Sequence, residues 1–342
     1  MRRLLLIVAL SGFPLLLTVP AAAQRLEVEL RDESTRAPVV GAIVRLLRGA
    51  VPVAEALSNE QGRVVLRVPA GTYRLQAARI GHTAHVADSV TLGIGETLRK
   101  ELIMLWSPVE LPAIEVTGTT TCRAAGGADA GVLWDEVRKT LAANVITQRE
   151  RRVSLRVLEF ERELSRGGRT LREHTVISRV TTGQPFRSLP VELLVSQGFV
   201  TRLEEDLLFA APDAALLLSD AFTATHCFRA VRGRDGLVGL AFEPVPDRRA
   251  PDVEGRLWLD PATGALRFLE YAYTGLESPY QEAGPGGRLE FRLLPTGSWI
   301  VSYWHIRMPR FQARVRREAG VTQSVLELVG HLERGGRAEP SP

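Results

Sequence analysis

The side chains most able to do chemistry in this chain are histidines and cysteines, and their spacing matches no catalytic motif. The histidines are His82, His85, His174, His226, His305 and His331. None has a glutamate three residues further on, which is the spacing by which a zinc peptidase holds its metal. His82 and His85 are close enough for a metal pair, but no third ligand lies near them in the sequence. We therefore predict no metal, no cofactor and no catalytic residue.

A hydrolase whose site is built from residues distant in sequence is the less favoured alternative. Its candidates are His174, His226, Glu204 and Asp206. The carboxylates at 204–206 are consecutive, and consecutive residues of a strand point to opposite sides, so they do not form an acid–base pair. The chain also lacks the Gly-Xaa-Ser-Xaa-Gly and His-Glu-Xaa-Xaa-His motifs and a phosphate-binding glycine loop. We expect a protein that is not an enzyme.

The first residues predict export. Arg2 and Arg3 precede an apolar run from Leu4 to Leu17, and the small residues before Gln24 suit a cleavage site. The run is shorter than the roughly 20 residues of a membrane span. We expect residues 1–23 to be a signal peptide, and the alternative is an uncleaved anchor. The mature chain would then be periplasmic or associated with the outer membrane, with no integral membrane span.

Export favours a disulfide between the two cysteines. Cys122 and Cys227 lack the Cys-Xaa-Xaa-Cys spacing of a redox site, and an oxidising compartment favours their pairing. The bridge would close a loop of roughly a hundred residues, which corresponds to about 4–5 kcal/mol on the chain-entropy estimate. The alternative is two buried thiols.

Composition indicates a globular protein with a surface of mixed charge. The chain has 342 residues, of which 45% are apolar and 6% aromatic, enough for two packed cores. The pI is about 9.4. Because the arginines are scattered and acidic residues interleave with them, we expect no nucleic-acid partner.

Residues 24–106 show the alternation and the turns of a small β-sandwich. Leu26, Val28 and Leu30 alternate with charged residues, as expected for strands that bury one face. The turn signals are Gly41-Ala42-Ile43-Val44, Asn59-Glu60-Gln61-Gly62, Pro69-Ala70-Gly71-Thr72-Tyr73 and Ile80-Gly81-His82. Gly62 supplies the positive φ of a tight hairpin.

This pattern resembles the carboxypeptidase regulatory-like family, a transthyretin-like β-sandwich with a carbohydrate-binding-like fold. The resemblance implies a seven-stranded module that binds or spaces and does no chemistry. It implies turns at Gly41, Gly62, Pro69, Gly71 and Gly81, and a Tyr73 ring packed inside the sandwich. The chain departs from the family where Val28 replaces a glycine and where His82 replaces an aromatic residue.

The remainder predicts a second, larger β domain. We expect a linker over 107–130, an antiparallel sheet or half-barrel over 131–335, and a polar tail over 336–342. Leu133, Val137 and Leu141 form one helical stripe, and a second helical piece is expected from Pro212 to Phe222. Strands are expected from Trp299 to Met308 and from Val321 to Leu332.

One hairpin, built on Asp260-Pro261-Ala262-Thr263-Gly264, has a type I turn signal. With the leading helix and the strand count, it resembles the half-barrels of LolA and LolB, although an unspecific β-meander also fits. The resemblance implies an apolar ligand face, and its candidates are Phe242, Leu257, Leu259, Leu269, Tyr271, Tyr273, Phe291 and Tyr303. Charged residues that share one face of a predicted strand, such as Arg156 and Arg162, argue against a membrane barrel.

Together these features predict an exported, non-catalytic binding protein of the bacterial cell envelope. The sandwich would dock to a protein or a glycan, and the larger domain would hold a lipid or another apolar ligand. The alternatives are a structural spacer of the envelope and the dispersed hydrolase. The sequence does not define the ligand or the oligomeric state.

Overall fold

The computed structural model describes residues 24–104, 127–182, 184–203, 206–318 and 321–341. The predicted signal peptide therefore lies outside the described residues, as do most of the predicted linker and Cys122. Over the described residues the chain is mainly β with several sheets, as the sequence predicts, and it has four helices, of which one is 23 residues long.

Two sheets form the N-terminal sandwich. The strands are β1 Gln24–Asp32, β2 Ile43–Arg48, β3 Val51–Leu57, β4 Arg63–Val68, β5 Gly71–Ala78, β6 His85–Leu92 and β7 Thr97–Met104. One sheet has the order β4-β1-β7 and the other the order β3-β2-β5-β6. The alternating residues Leu26, Val28 and Leu30 are buried between the sheets. Seven strands in two layers is the predicted architecture.

Tyr73 lies in the core of this sandwich. Its side chain is 1% exposed, and its hydroxyl donates to the carbonyl of Pro69 over 2.7 Å. Arg48 donates to the same hydroxyl over 2.9 Å. The ring therefore fixes the corner at 69–71, where Gly71 has a φ of 153°. The hairpin residue Gly62 has a φ of 74°, the conformation for which glycine is suited.

The rest of the chain forms one long helix, an antiparallel sheet and smaller elements. In chain order these are α1 Gly127–Arg149, β8 Leu155–Leu164, β9 Thr170–Thr181, α2 Val191–Gln197, β10 Val200–Leu203, β11 Asp206–Phe209, α3 Ala214–Leu217, α4 Asp220–Thr225, β12 His226–Arg232, β13 Val238–Pro244, β14 Asp252–Leu259, β15 Leu266–Thr274, β16 Gly286–Leu293, β17 Trp299–Glu318 and β18 Val321–Pro340. The sheet order is β12-β13-β14-β15-β16-β17-β18-β8-β9, while β10 and β11 form a separate hairpin.

Helix α1 covers one face of this sheet. Leu133, Val137 and Leu141, spaced four residues apart, are fully buried on the side that faces the strands. Strand residues such as Leu257 and Leu269 are buried in the same core. The helix is longer than its apolar stripe indicates. It begins at Gly127, inside the predicted linker, and continues to Arg149.

Two sequence predictions about the end of the chain are wrong. Residues 336–340 of the predicted polar tail belong to β18, and Ala338 is fully buried. This segment is ordered as a strand because its backbone pairs with β8 on one side, where Pro340 lies opposite Leu155, and Arg337 pairs with β17 on the other. Strand β17 also extends beyond Met308, to Glu318.

The sandwich shares a core with the larger domain. Ile43 and Leu57 belong to the sandwich by sequence, yet they are 2% and 3% exposed within the cluster that contains the buried stripe of α1. Their row on the four-stranded sheet is completed by Ala78, paired with Ile43. The two units are therefore in direct contact through a packed apolar row and are not connected by the linker alone. Within the described part of the chain, no helix combines the length and the apolarity needed to cross a bilayer.

Candidate binding cleft between the sandwich and helix α1

A buried polar stripe on α1 binds backbone groups of the larger domain and, through Glu136, of the sandwich. Glu136, Thr140, Asn144 and Thr147 are all at most 3% exposed and recur at a helical spacing. The Asn144 amide donates to the carbonyl of Trp299 over 3.0 Å, and the Thr147 hydroxyl accepts from the Trp299 N–H over 3.1 Å. These side chains satisfy backbone groups of connecting turns, which would otherwise be buried without partners.

Glu136 provides the link to the sandwich. Its Oε2 accepts from the Gly81 N–H over 2.6 Å, and its Oε1 lies 2.5 Å from Lys139 Nζ. Lys139 Nζ also donates to the carbonyl of His82 over 2.6 Å. The Glu136 side chain is 1% exposed and that of Lys139 is 12% exposed, so the carboxylate and the ammonium group have little water as an alternative partner. The turn at 81–82 is thus clamped by two adjacent side chains of one helix.

The same turn is pressed against the hairpin that joins β14 to β15. Gly81 has a φ of 77°, and a Cβ atom there would lie 2.2 Å from the Thr263 carbonyl oxygen. A Cβ atom on Gly264 would lie 2.7 Å from the Gly81 Cα. Both positions therefore require glycine for close backbone approach. Gly41 meets Gly297 of the β16–β17 turn in the same way.

Arginine side chains extend the junction along the outer face of the sandwich. Arg149 Nη2 donates to the carbonyl of Glu55 over 2.8 Å, and Arg152 Nη1 donates to the carbonyl of Leu57 over 2.8 Å. The Glu55 carboxylate accepts from Arg45 Nε over 3.0 Å. The end of α1 is thereby fixed to strand β3.

A cleft of about 690 Å³ opens beside this junction. On the sandwich side, the cleft is lined by Glu55, Arg45 and Gln76, which lie side by side on β3, β2 and β5. This row is adjacent to the row of Leu57, Ile43 and Ala78, through which the sandwich packs against the larger domain. Its helix wall includes Asp135 and Arg138. The remaining lining residues are Ala78, Thr83, Ala84, Val132, Glu136, Lys139, Ala142, Val145 and Leu218.

The two walls of this cleft are polar. Both walls carry donors and acceptors of both charge signs, and no aromatic side chain is among the lining residues. The walls are held at a fixed separation by the Glu136 clamp and by the glycine contacts. Clefts between two packed units are common ligand sites.

The face that the sequence assigned to an apolar ligand is filled by the protein itself. Seven of its residues, Phe242, Leu257, Leu259, Leu269, Tyr271, Tyr273 and Phe291, are at most 6% exposed within the core. The Tyr273 hydroxyl donates to the Ala210 carbonyl over 2.9 Å, and burial raises the pKa of Tyr273 well above its usual value. The open groove expected from the sequence is therefore absent from the described residues.

Tyr303, the eighth candidate, lies on the opposite face of the sheet beside a buried charge cluster. Glu333 is 4% exposed and accepts from Arg162 Nη1 over 2.9 Å. Burial lowers the pKa of His305, whose Nε2 lies 3.7 Å from Glu333 Oε2. Burial also raises the pKa of Tyr303, and the Glu333 charge adds to this effect. No local sequence pattern indicates this cluster, because its members come from three strands.

The two histidines considered for a dispersed hydrolase lie on opposite edges of the sheet. His174 is exposed on β9 and His226 is buried on β12, and these are the two edge strands of the nine-stranded sheet. Glu204 lies outside the described residues, and Asp206 begins β11. His226 Nε2 instead lies 3.3 Å from Asp252 Oδ1, and the other oxygen of this carboxylate, Oδ2, binds Arg248.

Arg248, which forms a cluster with His226 and Asp252, also binds the end of α2. Arg248 donates to the carbonyls of Leu194 and Val195 at the end of α2. Burial alone would raise the pKa of Asp252, but hydrogen bonds with His226 and Arg248 hold it below its usual value. This cluster thus has a structural role in joining α2 to β14.

The sequence predicts no metal site and one disulfide bridge. Among the residues that the structure describes, no group of three or more His, Cys, Asp or Glu side chains is arranged to hold a metal ion. Cys227 is 6% exposed at the start of β12. Cys122 lies outside the described residues, so the bridge between the two cysteines remains a prediction.

Comparison with known proteins identifies the first unit. Residues 25–104 match the carboxypeptidase regulatory-like domain, which confirms the resemblance seen in the turn motifs. The N-terminal unit is therefore a carboxypeptidase regulatory-like β-sandwich. No curated protein matches the chain.

Two solved structures show only remote likeness. One is the TIE protein of Bacillus anthracis, with 9% identity over 94% of this chain and a TM-score of 0.23. The chain spans 45% of the length of that protein. The other is a protein of unknown function from Bacteroides fragilis, with 10% identity, coverage of 94% of this chain and 100% of that one, and a TM-score of 0.17. Scores this low carry no argument about fold or function.

Proposed function

We propose that this chain is an exported, non-catalytic binding protein of the bacterial cell envelope, and that its ligand site is the cleft between the sandwich and α1. The observation that carries the proposal is the cleft of about 690 Å³, whose two polar walls are held in place by the buried Glu136–Lys139 pair. A preformed site of this kind spends little free energy on ordering when a ligand binds.

The lining favours a protein segment or a glycan over a lipid. Arg45, Gln76, Asp135 and Arg138 offer hydrogen bonds and charges of both signs, which suit hydroxyl, amide and carboxylate groups. The apolar face that would suit a lipid is occupied by the core. The match of residues 25–104 to a domain of the binding-module type supports the same view.

Export rests on the N-terminal sequence. The charged start, the apolar run from Leu4 to Leu17 and the small residues before Gln24 are typical of a signal peptide. N-terminal sequencing of the chain recovered from its host would give Gln24 as the first residue. Recovery of Met1 would contradict export by cleavage.

The binding test uses one variant that fills the cleft and one matched control. Thr83→Trp places a large ring at an exposed position of the cleft lining, and Thr97→Trp places the same ring at an exposed position of β7 away from it. The two variants and the unaltered chain are screened against envelope glycan fragments and against peptides of envelope proteins. We expect at least a tenfold loss of affinity for Thr83→Trp and none for Thr97→Trp. Equal binding by all three would exclude the cleft.

The glycine contacts favour a second candidate function, a rigid spacer. Gly81 against Gly264 and Gly41 against Gly297 lock the two units at two separate points. If the chain is only a spacer, deletion weakens the envelope, and Thr83→Trp restores it as fully as the unaltered chain.

A further inference from the structure

The hairpin of β17 and β18 projects beyond the rest of the sheet. Strand β16 pairs with β17 only as far as Arg307, and β8 pairs with β18 only as far as His331. Beyond these points, residues 311–318 pair with residues 321–328 alone. We call this two-stranded segment the arm. Eight residue pairs give it a length of roughly 26 Å.

One face of the arm is apolar and exposed. Residues that alternate along β17 share a face with their partners across the hairpin. The apolar members of this face are Phe311, Ala313, Val315, Leu326 and Leu328. Val315 is 72% exposed and Leu326 is 46% exposed. Phe311 packs edge-on against Tyr280 at 5.0 Å, which anchors the base of the arm.

The charge of the chain is concentrated at the same end. The arm lies beside the β8–β9 turn, to which it is tied by the Arg166–Glu327 and Arg310–Glu163 ion pairs. We call residues 165–173, 308–318 and 321–329 the basic end. It contains seven arginines and three glutamates, a formal charge of +4, which equals the formal net charge of the entire chain. The formal net charge falls to +2 when Arg2 and Arg3 leave with the predicted signal peptide, so in the chain from Gln24 onward the residues outside the basic end carry a formal charge of −2.

A second copy of this chain is a poor partner for this surface. Two basic ends brought together would place four positive charges against four. A nucleic acid would satisfy the arginines but would leave the apolar face in water. Anionic phospholipids satisfy both requirements, because their headgroups attract arginine and their acyl boundary accepts exposed apolar side chains.

We propose that the basic end docks on an anionic lipid surface, with the apolar face of the arm at the headgroup boundary. The contact is peripheral and electrostatic in its larger part. It would orient the molecule with the arm toward the membrane. This inference stands on the arm and its charge and does not depend on ligand binding in the cleft.

The test is sedimentation of the chain from Gln24 onward with lipid vesicles, so that the Leu4–Leu17 segment cannot supply the binding. The vesicles are phosphatidylcholine alone and phosphatidylcholine with about one third phosphatidylglycerol. We expect binding to the second kind only, weakened by salt because the contact is electrostatic. Binding to both kinds alike, or to neither, would overturn the proposal.

Two sets of variants locate the contact. Arg169→Gln, Arg172→Gln and Arg317→Gln together remove three charges from the basic end. Each basic residue near an anionic surface contributes roughly a fivefold gain in partition, so we expect roughly a hundredfold loss. The matched control changes three exposed arginines of the sandwich to glutamine, and they are Arg63, Arg67 and Arg99. A loss as large in the control would refute a specific docking end.

The apolar face is tested by Val315→Thr with Leu326→Thr, which keeps side chains suited to a strand. We expect at least a threefold weaker partition with an unchanged melting temperature. The control is Val51→Thr with Ile94→Thr, at two exposed apolar positions of the sandwich. If analytical ultracentrifugation instead showed a dimer that the arm variant dissociates, the arm would be a protein interface and the lipid proposal would be wrong.

Discussion

The Glu136–Lys139 pair gives the sharpest test of how the two units are joined. Glu136→Ala leaves the Gly81 N–H without its acceptor and Lys139 without its counter-charge, at a site where the side chains are 1% and 12% exposed. Loss of one member of a buried ion pair lowers the free energy of unfolding by about 3–5 kcal/mol. We expect a loss in this range for Glu136→Ala and a similar loss for Lys139→Ala.

The double variant separates the pair from its surroundings. In the double variant neither charge is left buried without its partner. Its free energy of unfolding should therefore fall by less than the sum of the two single decreases, and the difference should be at least about 1.5 kcal/mol. The measurement is urea denaturation followed by circular dichroism. The control cycle uses Arg334 and Glu161, a pair at 2.7 Å whose arginine side chain is 63% exposed. An exposed pair should show coupling of about 0–1 kcal/mol.

The reasoning fails if the two cycles give the same coupling. It also fails if Glu136→Ala lowers the free energy of unfolding by less than about 1 kcal/mol. In either case the junction would be held by the apolar row of Ile43 and Leu57 and by the Arg149 and Arg152 hydrogen bonds, and the buried carboxylate would have no role in fixing the cleft.

Three further predictions follow from other parts of the structure. Gly81→Ala forces a Cβ atom into a neighbouring carbonyl, and calorimetry should show at least about 2 kcal/mol of destabilisation, or separate melting of the two units. Because burial depresses the pKa of His305, the unfolded chain binds this proton more readily, so stability should fall as pH drops below about 6.5; His305→Gln should flatten that dependence in urea titrations at pH 5–7. Mass mapping of the exported chain should recover Cys122 and Cys227 in one linked peptide, and two free thiols would contradict the bridge.

The sandwich could be predicted because its information is local. Each short alternating strand and the glycine turn beside it can be recognised within about ten residues of sequence. Tyr73 likewise lies only four residues after Pro69, which marks the corner. The mainly β, antiparallel class of the larger domain could be predicted for the same reason. Its hairpin at Asp260–Gly264 carries its own turn signal, and the structure has strands β14 and β15 on either side of it.

The ends of the long strands could not be predicted, because these residues become strand only through pairing with adjacent strands of the sheet. The segment from Gly335 to Pro340 is polar and glycine-rich, so nothing in its own sequence indicates a strand. It becomes one because β8 and β17 lie on its two sides. A strand between two partners can accept residues that an isolated strand would not hold.

The apolar face shows a different limit. Alternation correctly groups Leu257 with Leu269 on one face of the sheet, but it does not say what covers that face. The cover is the chain's own helix, with Leu133 and Val137. The same helix carried an overlooked signal in the polar stripe that begins with Glu136 and Thr140. Its partners lie 55 residues away at Gly81 and 152 residues away at Trp299, and no local pattern connects them.

Native mass spectrometry of the chain recovered from the envelope of its host tests the central claim most directly. The account predicts that the unaltered chain and Thr97→Trp retain a bound glycan or peptide, seen as a discrete added mass, and that Thr83→Trp does not. Recovery of all three forms without added mass, or with the same added mass, would contradict a ligand site between the sandwich and α1.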